Sequence, residues 1–428
     1  MANSSNNLGS NFTRPLAKVF LEKFEASRVL TKTVDTQLLT GRFNPSSGTD
    51  VDFKRPHDYK TDRTNTGDIS AVDKSDIISG KATGTVQQYF TVHVDWDEVD
   101  EALKLDQLDE ILAPAATRMV TDLEVDFGSY MFKNGNLHYG TPGTAIDAWS
   151  DVAGAGALMD SIGVPNDGQR YYVMNPFVAT NLADVQRGLS SGKDSLVTTA
   201  WQNAQVTSMF GNLNAMTSNA LASYTSGSAT DRAGTLSATP DATYITHKDT
   251  MIQTLAIADI GAGTDTITAG EIITISTNSR NRLSLSTRNT FLDGAGAEVI
   301  WSGVVTADVT LSGGAGNITV AGPALNETNG QYNTVSSALT SGDVINILGS
   351  ASTVYQPAMF FHKQAYGIGS VPLKKLFATD TIATTEDGMQ IRVTKYSDGE
   401  ANKQRVRFDL LPAYATFNPF FAGQGFGV

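Results

Sequence analysis

Five histidines, at positions 57, 93, 138, 247 and 362, are the side chains best suited to metal binding or proton transfer near neutral pH. No two stand at the helical spacing of a zinc protease, so each reads as an ordinary structural histidine. There is no cysteine, which removes thiolate nucleophiles, thiolate metal sites and disulfides together. No Gly-x-Ser-x-Gly elbow is present. The run Gly188-Leu189-Ser190-Ser191-Gly192-Lys193-Asp194 approaches a phosphate loop. It is one residue short, with Asp194 where Ser or Thr would hold magnesium. Gly313-Gly314-Ala315-Gly316 lacks dinucleotide-binding spacing and reads as a turn. Asn317-Ile318-Thr319 and Asn326-Glu327-Thr328 match the glycosylation sequon but have no secretion signal ahead of them, so they read as chance matches. Asp95, Asp97, Glu98, Asp100 and Glu101 crowd carboxylates into one short stretch. A divalent cation would suit them, but a helix start matched to its dipole is the better reading. The expectation is a protein that is not an enzyme and holds no cofactor or metal.

Stepping outward, 428 residues with 40% hydrophobic and 18% charged side chains predict two or three globular domains. No stretch approaches the roughly 20 apolar residues that cross a bilayer. Met1–Ser10 is rich in Asn and Ser, without the basic and apolar regions of a signal peptide. A cytoplasmic protein, or a particle assembled in the cytoplasm, fits these features. The net charge of −13 argues against a protein that grips nucleic acid by its phosphates. It remains compatible with a wall that encloses nucleic acid without holding it.

The elements follow from periodicity. Positions 16, 20 and 24 recur every fourth residue as in a short amphipathic helix, with Pro15 placed for its first turn. Residues 41–94 read as a long hairpin, Val51 and Phe53 on one side, Phe90, Val92 and Val94 on the other. Its polar connection, about residues 54 to 82, carries Lys54, Arg55, His57, Arg63 and Lys81 among mixed charges. That connection is either a loose surface loop or an arm lying on a neighbouring subunit.

Residues 95–133 read as a long helix with apolar positions from Leu108 to Tyr130, interrupted by Pro114, which should kink or split it. Asn134-Gly135-Asn136 ends it. Residues 140–221 read as mixed α/β, with a strand at 171–174 and helices at 178–185 and 195–201. From 222 to 350 the chain turns rich in Gly, Thr, Ser and Ala. Short β-like runs there, at 272–275, 299–301, 304–306, 318–320 and 344–348, indicate a small barrel or sandwich inserted into the α/β host. A closing hairpin sets Ile391 and Val393 against Val406, Phe408 and Leu410, with its turn at Ser397-Asp398-Gly399.

Several blocks occur in an order that carries a resemblance: Thr31-Lys32-Thr33-Val34-Asp35, Phe53-Lys54-Arg55-Pro56-His57, Thr66-Gly67-Asp68-Ile69-Ser70 and Ile78-Ser79-Gly80-Lys81-Ala82-Thr83-Gly84. Further along come Ile111-Leu112-Ala113-Pro114, Val120-Thr121-Asp122-Leu123-Glu124 and Arg407-Phe408-Asp409-Leu410-Leu411-Pro412-Ala413-Tyr414. Over nearly its whole length the chain resembles the coat (major capsid) proteins of short-tailed double-stranded DNA bacteriophages. That family shares the Hong Kong 97-like capsid fold, an α+β fold, here with an inserted β-barrel domain.

The resemblance implies a role for each segment. These are an N-terminal arm (1–40), an extended loop over an adjacent subunit (41–94), the long helix of a peripheral domain (95–139), and a first part of an axial domain (140–221). An inserted barrel domain (222–350) and a return with the closing hairpin (351–428) complete the chain. It further implies hexamers and pentamers of a T=7 shell, a scaffolding protein, a portal, enclosed double-stranded DNA and expansion on packaging, with no membrane. An insertion-domain loop bridges capsomers in relatives; the matching segment here, with His247, Lys248 and Asp249, is short. Lys54, Arg55 and Arg63 are expected to pair with Asp97, Glu98 or Glu101 of a neighbour, and His57 and Lys81 to lie among the inter-subunit contacts. Two alternatives stand beside this reading: an encapsulin-like compartment shell and an extracellular β-domain adhesin.

Overall fold

The computed structural model describes residues 9–39, 48–70, 72, 75–97, 108–187, 208–261, 263–277, 280–376, 380–398 and 403–428. They fall into two compact units. One comprises 1–52, 83–127 and 366–415; the other comprises 53–82, 128–365 and 416–428.

In the first unit, the N-terminal helix Gly9–Ser27 buries Ala17, Phe20 and Phe24, of which positions 20 and 24 belong to the fourfold spacing read from the sequence; the Leu16 side chain lies outside the described ones. The helix begins at Gly9, so Pro15 lies within it rather than in its first turn as expected. Phe20 stacks on Phe408 at 4.0 Å, joining this helix to an antiparallel sheet. That sheet runs Thr381–Thr384, Gln390–Asp398, Lys403–Leu410 and Phe90–Asp97, side by side in this order. Ile391, Val393, Val406, Phe408 and Leu410 are all fully buried, as strict alternation dictates.

Two expectations are corrected here. Phe90–Asp97 does not return against Val51–Phe53. It pairs along its whole length with Lys403–Leu410, from Phe90↔Leu410 to Asp97↔Lys403. Ser397 and Asp398 lie in a strand, not a turn; the connection at 399–402 is outside the described residues. The first error has a plain cause, since period-2 alternation identifies a strand but not its partner.

The long helix spans Leu108–Lys133. Asp95 and Asp97 belong to the preceding strand, which corrects the acidic helix start; Glu98, Asp100 and Glu101 lie outside the described residues. The helix runs through Pro114 without splitting, although the missing N–H leaves one fourfold bond unmade there. Ala116, Met119, Val120, Leu123 and Phe127 form its buried stripe within the first unit. Glu124, also buried, accepts hydrogen bonds from the backbone N–H groups of Val29, Leu30 and Thr31 at 2.7–3.1 Å. The Thr31 hydroxyl adds a fourth, at 2.8 Å. This pins the N-terminal arm to the helix. A further sheet places Asp50–Lys54 beside Lys81–Val86, then Pro412–Thr416 and Tyr366–Ser370.

In the second unit, a six-stranded sheet has the order Leu137–Tyr139, Ala422–Gly425, Ala358–His362, Arg170–Met174, Leu213–Thr217, Met209–Phe210. Helices Trp149–Ile162 and Pro176–Arg187 bury Val152, Met159, Ile162 and Leu182 with Tyr172, Leu213 and Phe360. The expected helix at 195–201 and the run 188–194 lie outside the described residues.

The inserted segment closes a six-stranded antiparallel barrel, ordered Ile252–Ala258, Gly316–Ala321, Ser302–Val305, Ile272–Ile275, Val344–Ile347, Ala233–Leu236. Trp301, Ile273, Ile318 and Ile345 fill it. Val299–Trp301 precedes the strand Ser302–Val305 instead of forming one of its own, and the strands at 233–236 and 252–258 escaped the sequence reading. Gly313 and Gly314 take left-handed φ of 61° and 77° in a tight turn, as the glycine run implied.

Candidate subunit-interaction site

The charged connection leaves the strand Asp50–Lys54 and returns at Lys81–Val86. At its root lies Arg55. The alternation exposed–buried along Asp50–Lys54 continues one residue further, so Lys54 faces solvent while Arg55 points inward and is buried. The Arg55 guanidinium donates to the carbonyls of Lys81 (3.0 Å), Asp249 (3.3 Å) and Phe417. Burial pushes its pKa down to about 10, with Tyr244, the nearby Asp249 carboxylate and Tyr130 acting in the other direction. Three of the five guanidinium N–H groups are thus directed to carbonyls of its own chain.

The root is held at further points by the barrel's own loops. Asp249 Oδ1 accepts the Lys81 N–H at 3.1 Å, and Lys248 Nζ donates to the Ser79 carbonyl at 3.3 Å. Arg288 forms an ion pair with Asp58, while its other terminal nitrogen donates to the Asn333 carbonyl at 2.8 Å. The Asp58 N–H reaches the Tyr332 hydroxyl at 3.3 Å, and Gln331 Nε2 donates to the Asp76 carbonyl at 2.7 Å. Beneath them Tyr244 and Tyr332 stack at 3.7 Å, and with Leu325 they pack Ile78 and Met251. Asp58 is legible only as one charge of the connection, and Arg288, Gln331 and Tyr332 carry no signal in the sequence, where nothing about their spacing links residues more than 200 positions apart.

His247 braces the supporting loop, and its two ring nitrogens lie 2.9 Å from the carbonyls of Ile252 and Asp241. Carbonyls only accept, so both contacts are hydrogen bonds together only when both nitrogens carry protons. The Asp241 carboxyl lies below its usual range, held there chiefly by the hydroxyls of Thr246 and Thr243 and by the Thr243 N–H.

Beyond the root the loop stands in solvent. The N–H of Lys60 donates to the Ser75 hydroxyl at 3.0 Å, drawing the two legs together. Outside this tie residues 61–70 are all exposed, including Arg63 and Ile69. His57 and Lys54 are exposed, as are Tyr59 (57%) and Ile77 (75%). Asp97 ends its strand opposite Lys403; Glu98 and Glu101 are outside the described residues.

Among the described residues no group of three or more His, Asp or Glu could hold a metal ion, and no helix is long and apolar enough to cross a membrane. His362 is fully buried with Nε2 at 3.0 Å from Asp167.

Comparison with known proteins places this geometry in context. The family described as "P22 coat protein - gene protein 5" matches residues 4–427. A protein of Acyrthosiphon pisum secondary endosymbiont phage 1 named "Major capsid protein" is 42% identical over 425 residues, 99% of each chain. Among solved structures, a chain of Mycobacterium phage Che8 aligns with a TM-score of 0.44 and 12% identity, over 93% of this chain and 90% of that one. The capsid of Ralstonia phage GP4 aligns at 0.42 and 9%, over 94% and 92%.

Proposed function

This chain belongs to the P22 coat protein family, and we propose that it closes its shell by laying the outer part of the 54–82 loop on a neighbouring copy. It is a major capsid protein of a phage, a structural component of the virion shell. The observation that carries the loop's role is its two-part character. The root is held within the chain by Arg55, Asp58, Ser79 and Lys81, whereas the legs expose Tyr59 and Ile77 and the tip exposes Ile69 beside Arg63. Large apolar side chains held out in solvent on a rooted arm suit a surface that becomes covered on assembly.

Lys54, His57 and Arg63 supply the register by pairing with carboxylates of the neighbour, Asp97, Glu98 and Glu101 in this reading. Lys81 contributes its exposed side chain at the root. Such rim pairs select the partner and its orientation more than they add affinity. The shell is T=7, built of hexamers and pentamers around a scaffolding protein with a portal at one vertex. It expands as double-stranded DNA enters. The residue ranges 1–40, 41–94, 95–139, 140–221, 222–350 and 351–428 serve as arm, extended loop, peripheral helix, axial domain, insertion domain and closing return. Weak contacts repeated many times suit this assembly, because single errors dissociate while the closed shell persists. The net charge of −13 keeps the wall from gripping the packed genome.

The test is the double substitution Lys54→Glu with Arg63→Glu, both on exposed positions. The subunit should fold normally but yield no shells with scaffolding protein when inspected by negative-stain microscopy. Shells of normal number and size would refute the pairing.

A further inference from the structure

The segment around His247, Lys248 and Asp249 spends its polar groups on its own chain. His247 is buried with both ring nitrogens on carbonyls of its own loop. Asp249 accepts from the Lys81 N–H with its carboxylate and from Arg55 with its carbonyl. Lys248 reaches the Ser79 carbonyl and the carboxylate of Asp249, its own neighbour in sequence, at 3.1 Å. The functional groups of all three residues are thus directed into the same chain.

The backbone is shaped for this. Met251 takes a left-handed φ of 53°, uncommon for a residue with a side chain, and its N–H returns to the His247 carbonyl at 2.8 Å. Gly80 lies so close that an added Cβ would meet the Lys248 carbonyl oxygen at 2.6 Å and the Tyr244 hydroxyl at 3.1 Å. Only glycine permits that approach, and the Arg55 N–H to Gly80 carbonyl bond, 2.9 Å, closes the root opposite it.

We infer that residues 241–251 form an intramolecular clasp, which sets the root of the extended loop in the free subunit before any neighbour is met. The advantage is entropic. Ordering a loop this long at the moment of contact would subtract from each weak contact. A loop already rooted at Asp58, Ile78, Ser79 and Lys81 presents its outer part with less of that cost. The inserted barrel therefore contributes to assembly through the shape of its own subunit. The inference rests on the reading of the loop as an inter-subunit arm only for its purpose; the clasp itself is a property of the monomer.

The experiment is hydrogen exchange followed by mass spectrometry on the full-length, unassembled subunit. Asp249→Ala and Gly80→Ala should each raise amide exchange across residues 55–60 and 76–82 by about tenfold or more, the effect of losing one or two hydrogen bonds. Barrel amides at 272–275 and 316–321 should stay protected, which shows that the variant is folded. Should Gly80→Ala fail to fold, Ile78→Ser tests the same root from its apolar side. Unchanged loop exchange in folded variants, together with shells that fall apart, would overturn the clasp and return residues 247–249 to an outward bridging role. Failure of the Lys54/Arg63 test with loosened loop exchange would instead refute the arm and leave the clasp standing.

Discussion

Arg392 and Asp409 face each other across the closing hairpin, Nη2 to Oδ2 at 2.6 Å, with the carboxylate wholly buried. Thr91 Oγ1 and Arg407 Nε complete the shell around the same carboxylate. A buried pair adds little over an apolar pair of the same shape, but removing Arg392 leaves the buried carboxylate only Arg407 and Thr91. Arg392→Met should cost about 3–5 kcal/mol, read as a lowered urea midpoint. Adding Asp409→Leu to it should restore much of the loss, and a double variant as weak as the single would contradict the argument.

The Glu124 carboxylate gathers three consecutive N–H groups and the Thr31 hydroxyl. Glu124→Gln keeps the shape but turns an amide N–H₂ toward donors. We expect a loss of about 1–3 kcal/mol for the orphaned donors and faster exchange at 29–33, with barrel amides unaffected.

His138 predicts a pH dependence. Burial, aided by the Arg282 charge, pushes its pKa down from 6.5 to about 4. The unfolded chain takes up the proton at the higher pH, so the folded state is favoured fully above about 6.5. That contribution falls away as pH drops and is gone below about 4. Thermal melts between these limits should show a decline that His138→Gln removes; parallel curves for the two proteins would exclude His138 as the source.

Asn136, just past the long helix, joins that turn to the barrel. Its Nδ2 donates to the carbonyls of Ser302 (2.9 Å) and Ala321 (2.8 Å), while its Oδ1 accepts from Arg282. Asn136→Ala leaves several buried polar groups without partners, each costing about 1 kcal/mol or more. A total near 2–4 kcal/mol is expected by chemical denaturation, and a change below about 1 kcal/mol would show that water replaces the side chain.

Much of this architecture was legible beforehand. The buried alternation of Val406, Phe408 and Leu410, the buried Met119, Leu123 and Phe127 and the strand Ile272–Ile275 all appeared where periodicity put them, whereas Ala116 rather than Ala115 joins the buried stripe. Strand pairing was not legible. Phe90–Asp97 alternates equally well against either candidate partner, and Ala233–Leu236 is too short and too glycine-rich to signal a strand. The charged loop was visible as a loop, but its polarity was not: of the adjacent Lys54 and Arg55, the first is exposed and the second buried.

The amino-acid sequence alone determined which residues of the regular elements seek the core and that the later middle of the chain is rich in short strands. Those properties are local, set by periods of 2 and 3.6 and by residue type. The tertiary structure alone decided that Arg55 turns to its own carbonyls, that Asp58 meets Arg288, and that Asp249 fastens Lys81. These partners lie up to hundreds of residues apart, and only chain closure brings their charges within hydrogen-bonding distance. A charge's chemical type is written in the sequence; whether it meets a neighbouring subunit or its own barrel depends on which way the backbone turns it.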